Sequence, residues 1–361
     1  MYIIVSKSSL IIKMFFLLFS TISTLVFSEV VVRLVVPKKF WATQDYSRIW
    51  IRDDLLGWAN VPDLNDAFIS PEGKTVEINT NSDGFFEYGT KTSKNKVFML
   101  GDSTTFGFAV PNEERIHCQL HGMLKNQGFD SFVVNASCQA YSTDQEYLVA
   151  LNSLEKNSPC VVTIGVCSND FDYLGSPIGY ENYKPFLNTD GSVVYPKNKE
   201  IKKNYFSFYS RIFQLSALYN FVSPVLRRLK YRNDTVNIMG LGGEMKIDKD
   251  KIVNFKLIVF MLSELCKKHN SNLLIYCHPP YEDIDEEKSP IEGIVQSVCL
   301  DIGVPFVSVH NYLRIKKIAK EEIYLLPRDP HCNGLGYKLQ AEVLAKAICD
   351  LFLVNHQTIT K

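Results

Sequence analysis

The sequence predicts an α/β fold in three layers, with helices on both faces of a doubly wound, mostly parallel sheet, preceded by one membrane-spanning helix. Short apolar runs rich in Val, Ile and Phe alternate with stretches of helical spacing, as in a parallel sheet that is buried on both faces. Near the N-terminus, residues 14–28 carry no charged side chain. These observations together predict a membrane-attached α/β protein.

The composition of the 361-residue chain is that of a folded protein. Its 39 Lys and Arg balance its 39 Asp and Glu, and 12% of its residues are aromatic. Zero formal charge argues against a nucleic-acid partner, because nucleic-acid-binding proteins normally carry a basic excess. The nine cysteines form neither a CxxC motif nor two pairs at zinc-finger spacing. A zinc finger and a small disulfide-stapled domain are therefore disfavoured.

The N-terminal apolar segment is long enough to cross a membrane. A spanning helix needs ~20 mostly apolar residues, and residues 11–32 meet this requirement after a short tail, residues 1–10. Two alternatives remain: a signal peptide cleaved at Ser28, and a buried core helix. We favour a retained signal anchor because the apolar run continues past Ser28. Basic residues lie on both sides of the span and do not determine its orientation.

A membrane-proximal segment, residues 40–92, predicts short strands and loops. It contains all three tryptophans and several turn signals, among them Pro71-Glu72-Gly73 and Ser82-Asp83-Gly84. The large α/β domain is expected to follow it, at residues 93–355.

Five apolar runs and three helical stretches define the predicted α/β domain. The predicted strands are Val97–Leu100, Phe132–Val134, Val161–Val166, Leu273–Tyr276 and Pro305–Val309, and the predicted helices cover residues 116–124, 255–265 and 344–351. Such alternation gives a right-handed, doubly wound sheet of the flavodoxin-like kind. One long insertion, residues 172–250, interrupts it and contains a predicted amphipathic helix at about 208–229.

Polar motifs follow the predicted strands at the edge where doubly wound sheets bind their ligands. Gly101–Gly107, which includes Asp102-Ser103, follows the first strand, and the segment around Ser137 follows the second. Asn169-Asp170 follows the third strand, and Asp329-Pro330-His331 follows the last. We expect these four blocks to lie together at the carboxyl edge of the sheet.

The four ordered blocks resemble those of the SGNH/GDSL hydrolase superfamily, over about residues 93–352. The membrane-proximal segment is also similar to that of bacterial membrane-anchored members, in Leu56-Gly57-Trp58, Pro62-Asp63 and residues 79–85. The resemblance implies an esterase acting on an acyl or acetyl ester of a small molecule, glycan or lipid. It implies no metal and no organic cofactor, and an extracytoplasmic catalytic domain on a single-pass membrane protein.

The resemblance also assigns roles to individual residues. Ser103 would attack the ester carbonyl, His331 would serve as its base, and Asp329 would orient the imidazole ring. The oxyanion hole would consist of the Ser103 and Ser137 backbone N–H groups and the Asn169 side-chain amide. Two of the four blocks depart from the family pattern. Ser137 and Ala140 replace glycines, and one residue rather than two separates Asp329 from His331.

Other polar residues near the motifs are given structural roles. Asp102 and Asp170 are predicted to fix their loops rather than to act in acid–base chemistry. His117 and His121 stand at i,i+4 spacing, which can hold a metal, but no confirming motif accompanies them. We therefore predict that they lie on a solvated helix face. His278 ends a strand and is predicted to shape the site.

Three functions are consistent with this sequence. The first is an ester hydrolase with a Ser103–His331–Asp329 triad. The second is a glycan O-acyltransferase or O-acetyltransferase that uses the same residues, with a sugar hydroxyl in place of water. The third is a non-catalytic scaffold in envelope assembly, which the complete set of catalytic residues disfavours.

Overall fold

The structure is a computed structural model of the full chain. It describes residues 7–36, 49–69, 74–179, 182–196, 216–219, 221–222, 248–325 and 329–359. The chain divides into two compact units. One comprises Met1–Asp45 with Lys203–Thr235, and the other comprises Tyr46–Lys202 with Val236–Lys361.

In the described part of the first unit lies one long helix, α1 (Lys7–Val35). Its residues Ile12–Val35 are long and apolar enough to cross a membrane, where about 20 residues suffice. Most of its large apolar side chains are exposed. The carboxylate of Glu29 accepts hydrogen bonds from the backbone N–H groups of Ala217 and Leu218 at 2.8 and 2.9 Å. The predicted amphipathic helix at 208–229 lies outside the described residues, apart from 216–219 and 221–222.

The second unit contains a six-stranded sheet with one antiparallel strand at its edge. Its strands are β5 (Phe86–Gly89), β6 (Lys96–Gly101), β7 (Phe132–Asn135), β8 (Val161–Val166), β13 (Asn272–Cys277) and β14 (Phe306–Val307). Their order across the sheet is β14-β13-β8-β6-β7-β5, and only β5 runs antiparallel to its neighbour. Among the parallel strands, the first lies between the second and the third, which is the flavodoxin-like order. The predicted doubly wound sheet is confirmed.

Helices cover both faces of the sheet. On one face pack α4 (Thr143–Asn157), α6 (Lys249–Lys268) and α7 (Pro290–Ile302). On the other face pack α3 (Ile116–Asn126), α8 (Val309–Lys316) and α10 (Gly334–Ile359), and the short α9 (Lys320–Ile323) precedes α10. Side chains of β6 alternate between the two cores, with Phe98 and Leu100 in one and Val97 and Met99 in the other. The fold therefore has the three predicted layers.

The membrane-proximal segment contributes to the second unit. It forms two hairpins, β1 (Trp50–Asp53) with β2 (Gly57–Asn60) and β3 (Asn65–Ile69) with β4 (Thr75–Asn79), before β5 joins the sheet. Trp58 anchors the first hairpin, because its indole N–H donates to the Gln139 carbonyl at 2.9 Å. The start of the insertion is also fixed. After α5 (Ser168–Tyr173) it forms two short hairpins, β9 (Ile178–Gly179) with β10 (Asn182–Tyr183) and β11 (Phe186–Leu187) with β12 (Val193–Val194). The buried Lys184 ammonium lies 3.0 Å from the buried carboxylate of Asp144 on α4.

Two details of the sequence prediction are wrong. The last strand is shorter than the predicted 305–309, because Ser308 caps a helix that begins at Val309. His117 and His121 do not lie on a solvated face. Their residues are 0% and 9% exposed, because α3 packs between the sheet and α10.

Candidate active site

The nucleophile candidate Ser103 lies at the carboxyl end of β6. The strand ends at Gly101, and a short helix, α2 (Ser103–Phe106), begins directly after it. Asp102 caps that helix by accepting the Thr104 N–H at 2.8 Å. Ser103 is thus the first helical residue, whose backbone N–H has no acceptor within the helix. The local sequence presents its hydroxyl and its N–H at the same edge of the sheet.

Ser103, His331 and Asp329 come together in one line of hydrogen bonds. The Ser103 Oγ lies 2.8 Å from His331 Nε2, and His331 Nδ1 lies 2.5 Å from Asp329 Oδ1. The three side chains are largely but not completely buried. A serine hydroxyl in contact with one imidazole nitrogen, and a carboxylate in contact with the other, is the geometry of nucleophilic acyl transfer.

The short Asp329-Pro330-His331 spacing has a local explanation. The same Asp329 Oδ1 accepts two hydrogen bonds from His331, one from its backbone N–H at 2.8 Å and one from the ring. With a single intervening residue, the carboxylate folds back over the backbone of the histidine that it orients. Pro330 restricts the turn further through its fixed φ.

The charges of the pair support each other. Burial lowers the pKa of His331, but the Asp329 carboxylate outweighs burial and raises that pKa above its ordinary value. Burial alone would raise the pKa of Asp329. The charge and hydrogen bonds of His331 outweigh burial, so the pKa of Asp329 lies below its ordinary value. His331 is therefore a stronger base than a free imidazole.

Asp102 is a centre of hydrogen bonds beside the nucleophile. Its Oδ2 lies 2.9 Å from Asn169 Nδ2, 3.1 Å from Cys167 Sγ and 3.2 Å from Ser103 Oγ. Burial raises the pKa of Asp102, but hydrogen bonds, led by the Thr104 hydroxyl and the Asn169 amide, outweigh burial and hold it below its ordinary value. Asp102 is consequently ionised and competes with His331 for the single hydroxyl hydrogen of Ser103. The His331 contact is the shorter of the two.

The predicted oxyanion donors other than Ser103 already have acceptors in the protein. The Ser137 N–H donates to Asn135 Oδ1 at 3.1 Å, and its hydroxyl donates to the same oxygen at 2.5 Å. Asn169 Nδ2 donates to Asp102, although an amide nitrogen has a second hydrogen for another acceptor. Ser137 is not among the described residues with positive φ, whereas Ala140 adopts φ 63°. Of the two replaced glycines, only position 140 has the backbone that favours glycine.

A second polar group lies behind the nucleophile helix. Thr105 Oγ1 contacts His278 Nε2 at 3.0 Å and the Tyr276 hydroxyl at 3.2 Å. A Cβ at Gly165 would lie 2.5 Å from the Tyr276 hydroxyl and 2.6 Å from His278 Nε2, so only glycine fits there. His278 thus contacts Thr105 on α2 and supports that helix. Among the described residues it has no hydrogen bond to Ser103.

Two further carboxyl groups are buried near Asp102. Burial, and then the negative charge of Asp170, raise the pKa of Glu146 well above its ordinary value. Burial, and then the negative charge of Asp102, also raise the pKa of Asp170 well above its ordinary value. Asp170 Oδ2 accepts the Cys167 N–H at 2.7 Å and so holds the turn that carries Asn169. No direct hydrogen bond joins either group to His331 among the described residues.

The described residues contain no cluster of three or more His, Cys, Asp or Glu side chains arranged to hold a metal ion. His117 and His121, the pair at metal-ligand spacing, have other contacts. His117 Nδ1 lies 3.3 Å from Asn135 Nδ2, and His121 Nδ1 lies 3.1 Å from the Ser131 carbonyl. Burial lowers the pKa of His117 to about 3.

Comparison with known proteins finds matches among solved structures. No protein-family model and no curated protein match the chain. A two-domain esterase active on acetylated mannans matches with 13% identity and a TM-score of 0.40, over 71% of this chain and 49% of the esterase, about half its length. An acetylxylan esterase from Geobacillus stearothermophilus matches with 10% identity and a TM-score of 0.40, over 70% of this chain and 94% of its own. A Desulfitobacterium hafniense protein assigned to the G-D-S-L lipolytic family matches with 13% identity and a TM-score of 0.39, over 70% and 99%.

Sequence reasoning did not identify the acceptors at this site. The sequence predicts a loop-fixing role for Asp102, and in the structure its carboxylate also accepts the Asn169 amide. Asn135, at the end of β7, was not singled out, although it binds both the Ser137 N–H and the Thr105 carbonyl. A polar residue that ends an otherwise apolar buried strand is the signal that would have identified Asn135.

Proposed function

We propose that the chain is a serine ester hydrolase that works through an acyl-enzyme. Ser103 would be the nucleophile, His331 the general base and Asp329 the carboxylate that orients the imidazole. One observation carries this proposal: the hydrogen-bonded line from Ser103 Oγ through both nitrogens of His331 to Asp329 Oδ1.

The proposed reaction has two halves. Ser103 Oγ attacks the ester carbonyl carbon while its proton passes to His331 Nε2, and the bond to the alcohol breaks as His331 returns that proton to the leaving oxygen. Water then attacks the acyl carbon as its proton passes to His331 Nε2, the bond between that carbon and Ser103 Oγ breaks, and His331 returns the proton to Ser103 Oγ while the acid leaves. Asp329 stays ionised throughout and stabilises the imidazolium, in keeping with its lowered pKa.

The proposed oxyanion hole uses the Ser103 N–H, the Ser137 N–H and the Asn169 amide. The second hydrogen of Asn169 Nδ2 is available while the first stays on Asp102. The Ser137 N–H would have to exchange Asn135 Oδ1 for the substrate oxygen. Preorganised donors of this kind are typically worth ~10²–10³ in kcat each.

Labelling and turnover test this proposal together. A fluorophosphonate probe should label the full-length protein at Ser103, and the protein should turn over p-nitrophenyl acetate. Ser103→Ala should lose both properties while keeping the far-UV circular dichroism of the wild type. Labelling at another residue, or full turnover by Ser103→Ala, would overturn the assignment. Incubation with a glycan acceptor would distinguish hydrolysis from acyl transfer by the products.

We also propose that α1 anchors the chain in a membrane, with the α/β unit on the extracytoplasmic side. The 24 residues Ile12–Val35 and their exposed apolar side chains support anchoring. Full-length protein should stay in the membrane fraction after carbonate washing, and an N-terminal sequence beginning at Glu29 would instead indicate a cleaved signal. Protease digestion of sealed vesicles of known orientation would test the side of the membrane.

A further inference from the structure

Helix α1 carries one acidic side chain within Ile12–Val35, that of Glu29. A carboxylate within a membrane-spanning segment is unfavourable unless donors surround it, and such residues usually have a protein partner. Because an α-helix rises ~1.5 Å per residue, Glu29 lies ~9 Å from Val35 along the axis. The apolar segment is ~36 Å long against a hydrocarbon core of ~30 Å. If α1 spans the membrane, Glu29 therefore lies within ~10 Å of one boundary of that core.

The partner of Glu29 is a part of the long insertion, residues 216–219 and 221–222, which we call the docking segment. The Glu29 carboxylate accepts the Ser216 hydroxyl at 2.8 Å, in addition to the two backbone N–H groups that follow it. Ser216 Oγ in turn accepts the Tyr219 N–H at 3.1 Å. Three consecutive backbone N–H groups are thus satisfied by side chains. This is required at membrane depth, where no water is available to bind them.

One face of the last turns of α1 is buried. Of residues 12–36, only Val32 is buried, at 7% exposed, and it lies one turn beyond Glu29 on the same face. Ala217, whose N–H binds Glu29, is 0% exposed. The two chain segments belong to the same compact unit. Val32 and Ala217 thus both lose their exposure where the docking segment meets α1.

The exposed side chains of the docking segment suit a lipid surface. Phe221 is 41% exposed and Tyr219 is 40% exposed. In the sequence, residues 212–226 carry no charged side chain. Tyrosine is enriched where membranes meet water, and Phe is common on the lipid-facing side of interfacial segments. Because Glu29 holds this segment at the depth of the spanning helix, these aromatic side chains would meet lipid rather than bulk water.

We propose that the docking segment is a second membrane contact of the protein, bound to α1 through Glu29 and facing the boundary of a phospholipid bilayer. The proposal rests on the proposed anchoring by α1 and is independent of the hydrolase activity. The chain passes between the two compact units at three places, after residues 45, 202 and 235. The α/β unit would therefore be tied to the membrane by three chain connections instead of the one that α1 alone provides.

Photo-crosslinking of the full-length protein in vesicles of phosphatidylethanolamine and phosphatidylglycerol tests the lipid contact. p-Benzoylphenylalanine replaces Phe221, with the same replacement at Phe19 of α1 as positive control and at Phe260, exposed on α6, as negative control. We expect lipid adducts by mass spectrometry from the first two positions and none from the third. Adducts from Phe19 without adducts from Phe221, or equal yields from Phe221 and Phe260, would overturn the proposal while the anchor stands. Absence of adducts from Phe19 would overturn the anchor and this proposal with it.

Hydrogen exchange in the same vesicles tests the Glu29 contact. Glu29→Leu removes the acceptor but keeps the span apolar, so the protein should remain in carbonate-washed membranes. The peptide that contains Ala217 and Leu218 should exchange at least ~10-fold faster than in the wild type, because the lost hydrogen bonds protect these amides. Thr24→Leu is the matched control, since the exposed Thr24 hydroxyl donates to the Ser20 carbonyl of its own helix. It should exchange as the wild type does.

Three outcomes of the exchange experiment would overturn the contact. These are unprotected amides in the wild type, unchanged exchange in Glu29→Leu, and equal acceleration in Glu29→Leu and Thr24→Leu. Glu29→Gln, which keeps an acceptor oxygen, should exchange at an intermediate rate, and it replaces Glu29→Leu if that variant does not fold.

Discussion

The two halves of the proposed active site differ in the partners of their hydrogen-bonding groups. Ser103, His331 and Asp329 contact one another in an unbroken line. The donors Ser137 N–H and Asn169 Nδ2 instead contact the protein acceptors Asn135 and Asp102. The three side chains that would move protons, Ser103, His331 and Asp329, are already in contact without substrate. The Ser137 N–H and Asn169 Nδ2, which would bind negative charge, each already donate to a protein acceptor. Substrate must therefore displace Asn135 Oδ1 from the Ser137 N–H, whereas Asn169 Nδ2 keeps a second hydrogen for it. Mutations in the two halves should have effects of different size.

The largest effect is expected at the nucleophile. Ser103→Ala removes the proposed nucleophile, and His331→Ala removes its proposed base. Each should lower kcat by several orders of magnitude, and the double variant should be hardly worse than either single one, because residues that act as a unit are not additive. Steady-state kinetics on p-nitrophenyl acetate would measure this. Additive losses in the double variant would contradict a shared step.

The second effect concerns the base and its pH dependence. Only neutral His331 can accept the Ser103 proton, and its raised pKa places the acid limb of kcat/KM above the ordinary histidine pKa of 6.5. Asp329→Asn should cost up to ~10⁴ in kcat and should move that limb to lower pH, because the charge that raises the pKa is gone. A pH profile of each protein tests both expectations. An unshifted limb in Asp329→Asn would assign the orienting role to another carboxylate.

A smaller loss is expected from the donor half. Asn169→Ala should lower kcat by ~10²–10³, or about 2.7–4 kcal/mol, with little change in KM. Asn169→Asp is the matched control, since it keeps the size but replaces the donor by a negative charge beside Asp102, and it should be at least as inactive. Unchanged kcat in Asn169→Ala would mean that its contact with Asp102 is its whole role.

The smallest effect is expected at Ser137. Ser137→Gly removes the hydroxyl that donates to Asn135 Oδ1 but keeps the N–H that the proposal requires. We expect nearly unchanged kcat and a loss of roughly 0.5–1.5 kcal/mol in the free energy of unfolding, as for one hydrogen bond. Ser137→Ala separates the hydroxyl from the backbone effect of glycine. A large loss of kcat in both variants would show that the hydroxyl itself takes part.

The fold could be predicted from the sequence further than the site could. The Val161–Val166 strand is an unbroken apolar run because both of its faces are buried, and its predicted bounds agree with the structure. Helix α4 was not predicted, because its first turn buries polar residues, Thr143 to Glu146, and so lacks an apolar face there. The four motif blocks could be placed at one edge because parallel strands share their direction. Which acceptor each donor chooses depends on side-chain conformations that the spacing of motifs does not fix.

The antiparallel strand β5 has a consequence for any shortened form of this protein. It covers the outer hydrogen-bonding groups of β7, pairing Phe86 with Asn135 and Gly89 with Phe132. A chain that began at residue 93 would keep every proposed catalytic residue and still leave the apolar β7 (FVVN) as an open sheet edge. Open apolar edges pair with strands of other molecules and lead to aggregation. A soluble form should therefore start ahead of β1, since insolubility of a shorter one would reflect an unprotected edge rather than a defective catalytic centre.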